Sequence, residues 1–282
     1  MKKLIVSADD FGLTNSVNEG IARSLRDGIV TSVNLAPSGS AFDNALSIMR
    51  GLGLKDAGAH LAITETSPVT EPRKISTLIS KDGRFFRNRN KFFIRLLSNH
   101  IDTAHIYTEL NNQLDKISQA GIRVTHLSGH EHIHMMPPIR GIFFRLAKER
   151  TIPAIRHLAR ERFSWPANLR KIYRLLILLF FEKGMRRSLD EAGIRCADNI
   201  AGFYDSGKLN ENVLIDILRS LKDGTTELVC HPGFLGPEIL DRYRFHINCE
   251  KELYALTSKC VRNLIDKSGI KLISYRDFLE MK

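Results

Sequence analysis

The feature that most constrains this chain is a rhythm. Short β-branched runs recur along it, and each is separated from the next by a stretch long enough for a helix. "KLIVSA" (3–8), "IVTSVNLA" (29–36), "AGAHLAI" (57–63) and "RVTHLSG" (123–129) read as strands, with shorter candidates at 154–158, 226–233 and 270–275. Amphipathic segments at 16–28, about 40–50, 102–120, 137–150, 166–192, 208–222 and 248–268 read as helices, the first capped by Asn15 or Ser16 and ended by Gly28. Strands joined through helices pair in parallel, because a hairpin cannot connect them. About seven such strands in 282 residues fit a (β/α) barrel, distorted or incomplete, better than an open sheet. "SADDFGLT" follows the first strand, where a dinucleotide fold would carry GxGxxG. We expect one domain over 1–282. Residues 64–100, rich in charge and turn formers, would form an excursion suited to substrate selection.

Composition narrows the setting. The longest strongly apolar run, "LLILLFF" (175–181), falls far short of the roughly 20 residues a bilayer span needs. The opening "MKKLIVSADDFG" breaks off its apolar run at Asp9 and offers no small-residue cleavage site, so a cytoplasmic protein is expected. Cys196, Cys230, Cys249 and Cys260 form no CxxC pair and read as reduced thiols. A net charge of +11 suits an anionic partner, and equally a surface with excess lysine and arginine.

Chemistry gathers where the predicted strands end. Asp9 and Asp10 follow the first, His60 lies in the third, His126 and His130 close the fourth, Arg156 and His157 the fifth, and His231 the sixth. A lone strand histidine is most often a hydrogen-bonded core residue, and paired aspartates often only cap a helix. Five such places at the same end of successive parallel strands converge on the face where barrels build active sites. One carboxylate with two imidazoles can hold a divalent ion, which polarises a carbonyl and lowers the pKa of water. A second carboxylate could then take a proton and another histidine give one. "GHEHIHM" (129–135) concentrates the signal, since alternate spacing in an extended segment would put His130, His132 and His134 on one side.

Taken together, "SADDFGLTNSVNEGI", "AGAHLAI", "THLSGHEHIHMMP", "ELVCHPG" and "ISYRDF" resemble the YdjC-like carbohydrate deacetylases, a family that includes chitooligosaccharide and hopanoid-associated deacetylases. The resemblance runs from Lys2 to about Phe278. It implies a distorted (β/α) barrel and removal of an N-acetyl group from an amino sugar, free or lipid-linked. It also implies a divalent ion, Mg2+ or Zn2+, on Asp10, His60 and His130, with Asp9 as general base and His231 as general acid. Homodimers are common among such enzymes. Relatives carry a run such as Ser-His-His-His-Val-His where this chain has Gly129-His130-Glu131-His132-Ile133-His134. His126, His132 and His134 are therefore left as supporting or substrate-contacting residues, and Arg156 is expected to orient Asp9 through an ion pair.

"NLRKIYRLLILLFFEKGMRR" (168–187) reads either as a core helix with a basic end or as an interfacial helix on an anionic membrane at its inner face. Rival functions are a metal-dependent phosphoesterase and a non-catalytic binder of glycolipid or nucleic acid. No nucleic-acid-binding signature is present, so a nucleic-acid partner is not expected.

Overall fold

The protein's structure is a computed structural model that describes residues 1–158 and 184–281. Its strands are β1 (Lys2–Phe11), β2 (Ser32–Leu35), β3 (Asp56–Leu61), β4 (Arg123–Gly129), β5 (Asn199–Ala201), β6 (Gly224–Cys230) and β7 (Lys271–Leu272). They form one parallel sheet in the order β4-β3-β2-β1-β6-β5, with β7 also on β1. One edge of β1 pairs with β6 from Lys2–Gly224 to Ala8–Cys230. Its other edge is shared, Lys3 and Leu4 pairing with β7 and the residues from Ser7 onward with β2. Among the described residues, the sheet continues beyond β4 only as single bridges, Leu127 to Ile155 and Ala154 to Arg195, and Arg195 leads within four residues into β5. The result is a parallel α/β fold, a distorted and incomplete (β/α) barrel in which these bridges carry the β4 edge toward β5.

The helices cover the outside: α1 (Asn15–Asp27), α2 (Phe42–Gly51), α3 (Arg89–Leu97), α4 (Thr103–Gln119), α5 (Pro137–Glu149), α6 (Met185–Glu191), α7 (Glu211–Ser220), α8 (Pro237–Asp241), α9 (Cys249–Leu256), α10 (Lys259–Lys267) and α11 (Tyr275–Glu280). Strand alternation sorts β1 between two environments. Leu4, Val6 and Ala8 join the large apolar cluster under the helices. Leu4 and Val6, fully buried, each contribute about 2 kcal/mol over exposure. Ile5 faces the other way, into a small cluster with Ala154, Ile273, Tyr275 and Phe278, where α11 closes the floor of the barrel. The next residues in that direction are polar: Ser7, then Asp9. Gly58 of β3 is required inside, since a Cβ there would meet the Asn34 side chain at 1.9 Å.

Several boundaries differ from the sequence reading. Thr14, not Asn15 or Ser16, caps α1 by accepting from the Val17 N–H. The expected fifth strand (154–158) is reduced to two bridges, because each flank supplies only one or two partners. The expected strand at 270–275 ends at Leu272, because the Ser274–Asp277 capping box starts α11. The single helix expected over 248–268 is two, split where Ser258 caps α10. Strand β5 was not expected. The excursion at 64–100 holds a 3-10 turn (Pro72–Leu78) and α3. The basic apolar segment 168–187 lies, up to residue 183, outside the described residues. Among the described residues no helix is long and apolar enough to cross a membrane.

Candidate active site

The site starts from a bulge. In the pairing of β1 with β2, Ala8 is opposite Val33 and Phe11 opposite Leu35, so Asp9 and Asp10 together face only Asn34. Asp10 takes φ +66°, a left-handed backbone. Two adjacent residues that would point to opposite faces of a regular strand therefore both reach the same cluster. Among the described residues six non-glycine residues have positive φ, and four of them (Asp10, Glu65, Glu131, His132) line one cavity of about 600 Å3 at the C-terminal end of the strands. Strain of this kind, of order 1–3 kcal/mol per residue, persists where surrounding contacts over-determine it.

Asp10 sits among three imidazoles. Its Oδ1 is 3.4 Å from His60 Nε2 and 3.0 Å from His130 Nδ1, and its Oδ2 is 3.1 Å from His246 Nε2. Asp10, His60 and His130 are buried and offer three donor atoms within 4.8 Å of one another, the arrangement expected of them as ligands. Ligands about 2.0–2.1 Å from a tetrahedral ion stand about 3.3 Å apart, so the spacing and the donor types fit one divalent ion. Burial would raise the Asp10 carboxyl, but His130 and His60 hold it well below the usual carboxylate range. Burial would lower His130, yet Asp10 lifts it well above the usual histidine value. Asp10 and His130 thus form an ion pair whose proton a cation would displace. The far side of each imidazole is also occupied: His60 Nδ1 is 2.9 Å from Ser128 Oγ, and His130 Nε2 is 3.1 Å from Glu65 Oε2.

Asp9 faces a second set of groups. Arg156, fully buried, grips it with a two-pronged fork, Nη1 donating to Oδ2 (2.6 Å) and Nη2 to Oδ1 (2.8 Å). The ion pair inferred from sequence is present. Asn34 donates to Oδ1 at 2.6 Å. The same guanidinium donates through Nε to Glu227 Oε1 (2.9 Å), and Tyr275 donates its hydroxyl to Glu227 Oε2 (2.6 Å). A chain of charge therefore runs from the closing "ISYRDF" motif to Asp9. Burial alone would raise the Asp9 carboxyl, but Arg156, then His60, hold it far below the carboxylate range. Oδ1 has both lone pairs occupied, whereas Oδ2 has one left. Oδ2 is the atom 3.9 Å from both His60 Nδ1 and His231 Nε2.

His231, just past β6, presents Nε2 to Asp9 and Nδ1 to Glu252 Oε2 at 3.8 Å. The same Glu252 oxygen accepts the His231 main-chain N–H at 2.6 Å. Burial would lower His231, but Glu252 and then Asp9 raise it above the usual histidine value. The loop bearing His231 lies against α1 through two glycines, since a Cβ on Gly20 would stand 2.3 Å from Gly233 Cα. The "NEG" and "HPG" motifs meet at this contact.

The remaining candidates disperse. Glu131 and His132 are left-handed (φ +51° and +57°) within a 3-10 turn, so the alternate spacing assumed for an extended segment does not hold, and the three histidines take three directions. His130 faces Asp10. His132 lines the cavity, edge-on to Phe203. His134 is fully buried against Phe143 and is pushed down to about 3, first by burial and then by Arg156. His126 stacks on Tyr275 below the site and is not among the cavity-lining residues. Sequence reasoning missed Glu65, Glu227, His246 and Glu252, none of which ends an alternating apolar run with a conspicuous polar residue. The excursion contributes Glu65, Arg87, Asn88, Arg89, Asn90 and Phe93 to the cavity wall.

Comparison with known proteins agrees with this architecture. A carbohydrate deacetylase of Thermoanaerobacter pseudethanolicus is 30% identical over 276 residues, covering 98% of both chains. A carbohydrate deacetylase of Clostridium beijerinckii is 28% identical, covering 98% of this chain and 99% of its own. The crystal structure of an Enterococcus faecalis protein described as a cellobiose-phosphate cleavage protein shares the fold, with a TM-score of 0.78 at 23% identity and 98% coverage of both chains. The family model for YdjC-like proteins matches residues 3–267, and the chain belongs to that family.

Proposed function

We propose that this protein is a metal-dependent hydrolase that removes the N-acetyl group from an amino sugar. The observation that carries the reading is the buried Asp10–His60–His130 triad, flanked by Asp9 and His231 at the bottom of the cavity. The curated relatives named carbohydrate deacetylases support the choice of reaction over phosphoester cleavage or passive binding. A divalent ion on the triad would polarise the acetyl carbonyl and make a water molecule more acidic. Asp9 Oδ2 has the open lone pair and accepts the proton of the attacking water. Arg156 keeps that carboxylate ionised and aimed. His231, protonated through Glu252, gives a proton to the sugar nitrogen as the C–N bond breaks. Phe203, Phe245 and Phe93 supply apolar faces on which a sugar ring can stack. The ion is Zn2+ or Mg2+, as the donor set accepts either.

Acetate release from N-acetylated mono-, oligo- and lipid-linked sugars, with and without chelator, tests the reading and separates free from lipid-linked substrates. Acetate should appear, cease on chelation and return with added ion. His60→Ala should lose both bound metal and activity. Release of phosphate instead of acetate, or turnover unaffected by chelator, would overturn the assignment.

A further inference from the structure

We propose that His246 is a positioning residue of the metal centre. Its imidazole secures one oxygen of the Asp10 carboxylate, so that the other is presented to the ion. The inference rests on the reading of Asp10, His60 and His130 as ligands, and adds a group that this reading does not use.

His246 belongs to a 3-10 turn (Arg244–Asn248) that follows β6 and α8, far from Asp10 in sequence. It is 3% exposed, and its Nε2 lies 3.1 Å from Asp10 Oδ2. The two carboxylate oxygens are thereby divided: Oδ1 faces His60 and His130, and Oδ2 faces His246. His246 stands outside the set of mutually close donor atoms, the place of a group that holds a ligand rather than the ion. Among the described residues neither of its ring nitrogens has an aligned hydrogen bond, although both are buried. A buried ring nitrogen is costly without an aligned bond, and with Oδ2 already at 3.1 Å a modest ring rotation would let Nε2–H donate to it. The ring is held from the side by His231 and Phe245, edge-on at 5.7 and 5.3 Å. The turn itself is tied by Asn248 donating to the Gly207 carbonyl at 3.0 Å. Asp10, strained at φ +66°, gains in His246 a contact from outside the ligand set that fixes where its carboxylate points.

The test compares His246→Phe, which keeps the ring's bulk without a donor, with His246→Gln, whose amide restores one. Metal-stripped proteins are titrated with Co2+ by calorimetry and by visible absorption, and their melting is followed without metal. Loss of a partner that orients a ligand weakens metal binding by about 10- to 100-fold. His246→Phe should therefore bind Co2+ about that much more weakly at unchanged 1:1 stoichiometry, with the Co2+ bands keeping their positions. His246→Gln should recover most of the affinity. Unchanged Co2+ affinity in the Phe variant would overturn the inference, even if that variant melts earlier, because a merely structural role moves melting alone. Lost stoichiometry in both variants with an altered Co2+ spectrum would also overturn it, since His246 would then be a ligand. Failure of the unaltered protein to bind Co2+ would instead sink the underlying metal reading. If the Phe variant does not fold, His246→Asn, whose amide is too short to reach Oδ2, replaces it in the same comparison.

Discussion

Asp9→Asn should lower kcat by about 10²–10⁴-fold, the range for loss of a general base, while the protein still binds one metal ion. The expectation follows from how the two aspartates divide their work. Asp10 carries the contacts to His60 and His130, and Asp9 touches neither within hydrogen-bond distance, so the substitution leaves the ligand set whole. What it removes is the one open lone pair on Oδ2, the atom that looks toward both His60 and His231. The amide that replaces it either turns an N–H toward the Arg156 fork or turns it toward the site, and neither arrangement can accept the water's proton. Substrate KM should change little, because Asp9 is buried and 1% exposed. Metal content by elemental analysis alongside acetate-release kinetics checks both halves. Activity within tenfold of the parent would move the base to another carboxylate. Glu65, which lines the same cavity and contacts His130, is the next to examine, and Glu65→Gln would then show the larger loss.

The sequence disclosed the parts of this structure that follow from periodicity. β1 and β4 stand out because their apolar residues alternate with residues that had no reason to be polar unless the barrel interior were polar. His60 and His126 look misplaced on a core strand, and Glu227 sits unnoticed in "TELVC" for the same reason. They line a charged interior shared by Ser7, Asp9, Asn34 and Arg156. What could not be read is whatever depends on a departure from regular backbone. Nothing in "SADDFG" announces the bulge that turns both aspartates inward. The left-handed Glu131 and His132 defeat the alternation that "GHEHIHM" advertises. His246 and Glu252 arrive through a turn and a short helix, and only the folded chain brings them beside Asp10 and His231. Strand β5, three residues long, carries too few positions for a period to show.

Arg156→Met should be the most destabilising single change in the site, by about 3–5 kcal/mol, because it removes one member of a buried ion-pair network and leaves the others uncompensated. Arg156 is fully buried and is, among the described residues, the one cation that Asp9 and Glu227 both contact directly. Methionine fills comparable space, so the loss reports charge more than a cavity. At roughly 2–4 °C per kcal/mol for a chain of this size, melting should fall by about ten degrees. Arg156→Lys keeps the charge but not the fork, and cannot hold Asp9 and Glu227 at once. It should recover part of the stability and little of kcat, separating the positioning of Asp9 from simple neutralisation. The pH dependence supplies the decisive sign. In the parent, Asp9 is depressed in the folded state, so its contribution is present above the unfolded carboxylate pKa and is lost as pH falls through the lower folded value. Without Arg156, the cation that most opposes burial is gone, and the folded Asp9 carboxyl rises above its unfolded value. The folded variant then binds more protons than its unfolded chain and gains stability as pH falls. The melting gap between parent and Arg156→Met, measured in chelator to keep the site apo, should narrow steadily from about pH 8 to about pH 5. A gap that stays constant over that range would mean that Asp9 does not depend on Arg156 for its charge, and the account of how this site keeps its base ionised would fail.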